Sequence, residues 1–183
     1  RPRLVALSED NFNFLSKMCL DRNRSLAFSM CEAARRQGIP VAVNSSDASD
    51  YAAEYLNRGL DFVLVGEMEV TLLEMARSLL GGGARSVEQI RGLAYRDPRT
   101  GRVHRTAPRE RTTDLDRLPF PAWDLVEIAK YREAWIGAHG YFSLNLVSSR
   151  GCPYHCNWCA KPIYGQAYQV ASPQRVAGEM RYV

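Results

Sequence analysis

Short apolar runs alternate with helix-patterned stretches through the first 80 residues, and glycine or small polar residues punctuate each change. Residues 3–7 read as a strand. Residues 15–37 carry helical spacing at Leu26, Met30, Ala33 and Ala34 and stop at Gly38. A second strand is expected over 39–43, a short helix over 51–56 ending at Gly59, and a third strand over 62–65. A helix over 69–80 is stopped by Gly81-Gly82-Gly83. Strands separated by helices imply a parallel sheet of Rossmann type, so the fold class is α/β. No GxGxxG occurs, and a dinucleotide site lacks its fingerprint. The loops Asn44-Ser45-Ser46-Asp47 and Gly66 to Leu72 follow the second and third strands, where open α/β sheets bind ligands. As turn and cap residues, Asn44 to Asp47 and Thr71 need no ligand at all.

The rest of the chain is organised differently. A β-hairpin is expected from 92–96 and 102–106 around a Pro/Gly turn at 97–101. A polar linker and a proline-bearing stretch, 114–123, follow it. Lys and Arg number 24 against 20 Asp and Glu, and much of the +4 excess lies in residues 91–111. Arg96, Arg99, Arg102, Arg105, Arg109 and Arg111 read as a solvated face, with a phosphate-bearing partner the minor alternative. So mild an excess gives no expectation of nucleic acid. At 46% hydrophobic and 24% charged, the 183 residues can build one domain or two small ones. No apolar run nears the roughly 20 residues of a membrane span, and no secretory signal pattern is present. The chain opens without Met and closes at Val183 inside a helical pattern, which reads as a segment of a longer protein.

Three of the five cysteines fall within eight residues, Cys152-Pro-Tyr-His-Cys156-Asn-Trp-Cys159. Cys19 and Cys31 sit among apolar neighbours and read as small buried thiols. A tight odd cluster without an export signal points to metal rather than disulfides. A closed zinc site needs four ligands, and His155 lies awkwardly next to Cys156 for the fourth, so zinc is disfavoured. Three thiolates on one short loop suit an iron–sulfur cube with one iron left open. Residues 142–147 are expected to form the strand before this loop, and Ser172-Pro173 to open the helix after it. Strand, ligand loop and helix make the first unit of a parallel β/α barrel.

CxxxCxxC with an aromatic before the last Cys resembles the signature of radical S-adenosylmethionine (SAM) enzymes. Ser149 to Tyr154 and Ala160 to Gly165 look like the same loop in the subgroup with a cobalamin-binding domain. The stretch Gly66-Glu67-x-Glu69-x-Thr71-Leu72 looks like that domain's closing GEGE-TL segment; residues 51–56, Gly59 and residues 61–65 are similar to the segment before it. Met68 departs from the usual Gly, and Asn44-Ser45 from a common Gly-Gly pair. The resemblance implies the end of a cobalamin-binding domain over 1–85, a hairpin and connector over 86–137, and the start of a radical SAM domain from 138 to 183. It implies that Cys152, Cys156 and Cys159 hold a 4Fe–4S cluster, with SAM chelating the fourth iron. Tyr154 and Trp158 would line the SAM pocket. Ser45, Ser46, Gly66, Glu67, Glu69 and Thr71 would face cobalamin or its nucleotide tail. The family's DxHxxG cobalt-ligand motif is absent.

The commonest reaction so implied is methylation of an unactivated centre through a 5′-deoxyadenosyl radical. One SAM would generate the radical and a second would remethylate the cobalamin. An oxidative cyclase using the same cofactors is one alternative. A metal- or cobalamin-binding module without catalysis is another, and no catalytic side chain is assigned. Implied partners are a small-molecule substrate and a reductant such as flavodoxin or ferredoxin. An oxygen-labile cluster without a signal points to the cytoplasm.

Overall fold

A computed structural model describes residues 2–9, 18–82, 85–157 and 163–183. The chain divides into two compact units, residues 1–111 with 156–165, and residues 112–155 with 166–183.

The first unit is built on a five-stranded sheet in the order β1-β2-β3-β4-β5. Strands β1 (Val5–Ser8), β2 (Val41–Asn44) and β3 (Phe62–Leu64) run parallel. Between them lie helices α1 (Leu20–Arg35), α2 (Ser46–Asp50) and α3 (Ala52–Asn57). Beyond β3 comes α4 (Glu69–Leu80), whose limits match the sequence expectation and which ends at Gly81 in the left-handed region. The antiparallel hairpin β4 (Leu93–Arg96) and β5 (Val103–Arg105) adds to the far edge, β4 pairing with β3. Asp97 shapes its turn by accepting from the Arg99 amide at 2.8 Å and the Thr100 hydroxyl at 3.1 Å.

Alternation along the strands distributes the core to both faces. Val41, Val43, Val63 and Ala94 pack on one side with Cys31, Ala34, Tyr55 and Leu56 from the helices. Ala42, Leu64, Leu93 and Tyr95 pack on the other with Met75 of α4 and Ile90. All four residues of β2 are buried, as befits a strand covered on both faces. The expected α/β sheet is present.

In the second unit, 3₁₀ turns at Leu115–Arg117 and Trp123–Leu125 precede α5 (Ile128–His139). The pair β6 (Ser149–Arg150) and β7 (Gln169–Val170) is antiparallel, and α6 (Pro173–Tyr182) follows. The start of α6 is as expected: Pro173 opens it, and the Ser172 hydroxyl accepts from the Arg175 amide at 3.1 Å. Asp116 Oδ1 takes the Ser172 amide at 2.9 Å, and the Ser172 side chain first and this amide second hold the acid below its ordinary pKa.

One expectation fails here. Residues 142–147 are not a strand, although Phe142, Leu144 and Leu146 are half-buried and their neighbours exposed. The alternation read from the sequence survives as burial. A ladder needs a partner, and no described strand of this chain runs alongside. Helix α5 lies largely within the expected connector. None of its residues is buried, and Tyr131, Trp135 and Ile136 are exposed.

Candidate functional site at the carboxyl ends of the parallel strands

The carboxyl ends of β1, β2 and β3 form one edge, as parallel topology requires. There the Glu9 amide donates to Asn44 O at 3.0 Å, linking the exits of β1 and β2. The Asn44 side-chain amide donates to Leu64 O at 2.8 Å and Gly66 O at 2.9 Å, linking β2 to the exit of β3. A cavity of about 410 Å³ opens against α1, lined among others by Ser8, Glu9, Val43, Ser45 and Tyr55. That volume lies within the range of small-molecule pockets.

Ser45 is buried at the cavity wall, and its hydroxyl accepts from the Ala48 amide at 2.8 Å, capping α2. Ser46 opens that helix and is half-buried. Beneath them, the Asp47 carboxylate receives Arg24 Nε at 2.7 Å, Arg24 Nη2 at 2.6 Å and the Tyr55 hydroxyl at 2.6 Å. Burial opposes ionisation of Asp47. The hydrogen bonds from Arg24 and Tyr55 outweigh it and hold the carboxyl below its ordinary pKa. Burial, then the bond to Asp47, pushes the Tyr55 hydroxyl well above its usual value. The bond to Asp47 likewise raises Arg24 further above its own. No sequence signal marks this triad, because its members lie on three separate elements.

At the third strand exit, Gly66 has φ +80°. A Cβ there would meet no neighbour closer than Ile163 O at 3.9 Å. The loop therefore needs glycine for its backbone rather than for space. Glu67 is buried, while Glu69 is half-buried and begins α4. Met68 has φ −94° and packs against the core beneath the sheet, so it replaces glycine without backbone strain. Thr71 is fully buried. Its hydroxyl donates to Arg91 O at 3.1 Å and accepts from Arg109 Nε at 2.7 Å. Arg109, read as part of a solvated face, instead lies half-buried against α4.

The cysteine motif is divided between the units: Cys152 falls in the second and Cys156 in the first. Cys152 is half-buried; Cys156 and Tyr154 are exposed. Cys159 and Trp158 lie outside the described residues. Among the described residues no three His, Cys, Asp or Glu side chains gather as metal ligands, and a motif lacking its third member there cannot register as such a group. The segment after the motif returns to the first unit. Ile163 is buried, and Tyr164 O accepts from Arg111 Nη1 at 3.3 Å.

No family model matches the chain. It is 32% identical over 122 residues to an uncharacterized methyltransferase of Pyrococcus horikoshii, covering 66% of this chain and 25% of that protein. Against the hopanoid C-2 methylase of Rhodopseudomonas palustris it is 26% identical over 168 residues, covering 91% of this chain and 26% of the methylase. The chain thus spans about a quarter of the length of the curated relatives it matches. Its fold matches OxsB, a cobalamin-dependent S-adenosylmethionine radical enzyme solved with aqua-cobalamin and S-adenosylmethionine bound. The TM-score is 0.69 at 22% identity, over 98% of this chain and 23% of that one. By sequence the chain is similar to these methyltransferases, and its fold is that of the matching part of OxsB.

Proposed function

We propose that the protein is a cobalamin-dependent radical SAM enzyme that methylates an unactivated centre of a small-molecule substrate. The observation that carries the reading is that Ile163, four residues past the third cysteine, lies against the Gly66 loop within the first unit. Ile163, just beyond the third cysteine, is buried, and its carbonyl lies 3.9 Å from where a Gly66 Cβ would stand. The segment leaving the cysteine motif thus lies against the loop whose sequence resembles a cobalamin-domain closure.

The donor chemistry fits the implied groups, and the space fits part of one. Cys152, Cys156 and Cys159 supply three soft thiolates for three irons of a 4Fe–4S cluster. The cavity of about 410 Å³ beside Ser45 and Tyr55 has room for part of a cobalamin, such as its nucleotide tail, and not for the whole cofactor. When bound, the cluster supplies the electron that cleaves SAM and the cobalamin supplies a methyl carrier. The chain's own part is ligation and orientation. Ser45, Ser46, Gly66, Glu67 and Glu69 would flank a bound cobalamin, Thr71 holds the loop from behind, and Tyr154 and Trp158 would line the SAM side. A flavodoxin or ferredoxin in a reducing cytoplasm would deliver the electrons. Among the described residues no helix is long and apolar enough to cross a membrane.

Metal and cofactor analysis of the complete gene product, reconstituted anaerobically with iron, sulfide and hydroxocobalamin, tests the proposal. About four irons per chain with a bound-cobalamin spectrum are expected. Iron without cobalamin would remove the first unit from the reading, and zinc in place of iron would remove the radical chemistry as well.

A further inference from the structure

Four pieces of the first unit meet behind the Gly66 loop. Gly92 O accepts from the Val65 amide at 2.8 Å, and the Gly92 amide donates to Ala107 O at 2.9 Å. A Cβ on Gly92 would lie 3.1 Å from Val65 O, Thr71 Oγ1 and Arg109 Cβ, and φ there is +74°. Only glycine allows the end of β3, the start of β4, the first turn of α4 and the connector to come so close. Arg109 fastens the meeting point. Its Nε donates to the Thr71 hydroxyl at 2.7 Å, and its Nη2 donates to Glu74. The Thr71 hydroxyl proton is already committed to Arg91 O, so its lone pairs require a donor from elsewhere. Arg91 in turn donates Nε to Pro108 O at 3.0 Å, beside Arg109 in the connector.

Val65 immediately precedes Gly66, and Thr71 comes two residues after Glu69, so the loop is held at both ends by this knot. We propose that Arg109 is a positioning residue that fixes the conformation of the 66–69 loop through Thr71 and thereby sets the affinity for cobalamin. The cofactor consequence rests on the function proposed above; the mechanical part does not. Two donors on one planar head meet a hydroxyl and a carboxylate together, and lysine cannot reproduce that fork. Glu74 also pairs with Arg85 at 2.9 Å, so it keeps one cation when Arg109 is replaced. Loss of Arg109 is therefore felt mainly at Thr71, whose buried oxygen loses its donor.

The test compares wild type, Arg109→Gln and Arg109→Lys as complete gene products, in two measurements. Backbone amide exchange without cofactor is expected to rise about fivefold or more in residues 65–72 of Arg109→Gln, with β1 and β2 unchanged. Hydroxocobalamin, titrated spectroscopically, is expected to bind about fivefold or more weakly, within the usual range of coupling between sites. Arg109→Lys should recover little of either. Unchanged exchange in residues 65–72, or a rise spread evenly over the sheet, would overturn the positioning role. Loosened exchange with unchanged hydroxocobalamin affinity would overturn its effect on the cofactor. Wild type that takes up no hydroxocobalamin would overturn the proposed function and that effect together, while the exchange comparison still decides the mechanical claim.

Discussion

Asn44 and Gly66 are joined across two strand exits: the Asn44 amide nitrogen donates to Gly66 O at 2.9 Å and to Leu64 O at 2.8 Å. Asn44 is 2% exposed. A single buried side chain thus ties the second strand to the loop after the third.

Asn44→Ala should destabilise the fold by about 2 kcal/mol, because two buried carbonyls lose a donor and no water replaces it readily. Urea unfolding of variant and wild type measures this. A change under about 0.5 kcal/mol would mean that the tie is not a structural one.

Gly66→Ala probes the same loop from its other side. With φ at +80° and no atom within 3.9 Å of the added Cβ, the cost is conformational rather than steric. It should amount to about 1–2 kcal/mol. If Gly66→Val cost no more stability than Gly66→Ala while hydroxocobalamin bound still more weakly, the extra bulk would be acting at the ligand.

The Asp47 triad makes stability depend on pH at both ends. Asp47 is held below its ordinary pKa. Its contribution is therefore present above the unfolded value, about 3.9, and is lost as pH falls through the folded value. Tyr55 is displaced upward, so its share is complete below about pH 10 and is lost as pH rises through the folded value. Asp47→Asn should cost about 2 kcal/mol near neutrality, because Arg24 and Tyr55 lose a charged acceptor while Arg24 keeps Glu54 at 3.4 Å, and should flatten the acid branch. Thermal unfolding across pH reads both. An acid branch unchanged in Asp47→Asn would assign it to other carboxylates.

Cys156→Ala is predicted to lose cluster iron while keeping the folded sheet, since Cys156 is exposed and outside both core groups. Iron analysis with circular dichroism separates the two effects. A variant with a full complement of iron would show that Cys156 is not a ligand.

What the sequence made legible was the part governed by local rules. The 69–80 helix, the hairpin around Asp97 and the Ser172-Pro173 start all follow from neighbours along the chain. Helix α2 escaped because Ser45 to Asp50 offers a cap but too few apolar positions to show a period. Helix α5 escaped because no one-sided burial marks it. The strand expected over 142–147 failed for the opposite reason, its alternation being real while no described strand pairs with it. At the site, spacing singled out the three cysteines, and the other candidate residues came from the family resemblance. The contacts of Arg24 with Asp47, of Arg109 with Thr71 and of Asn44 with Gly66 join residues 22 to 38 positions apart, and only the folded chain brings them together.

The most direct measurement of the central claim is SAM cleavage by the complete gene product, reconstituted anaerobically with iron, sulfide and hydroxocobalamin, with and without a low-potential reductant. Reductant-dependent 5′-deoxyadenosine, abolished in Cys156→Ala, is the predicted result. A protein that holds about four irons and yet forms no 5′-deoxyadenosine under reduction would contradict the assignment of radical SAM chemistry.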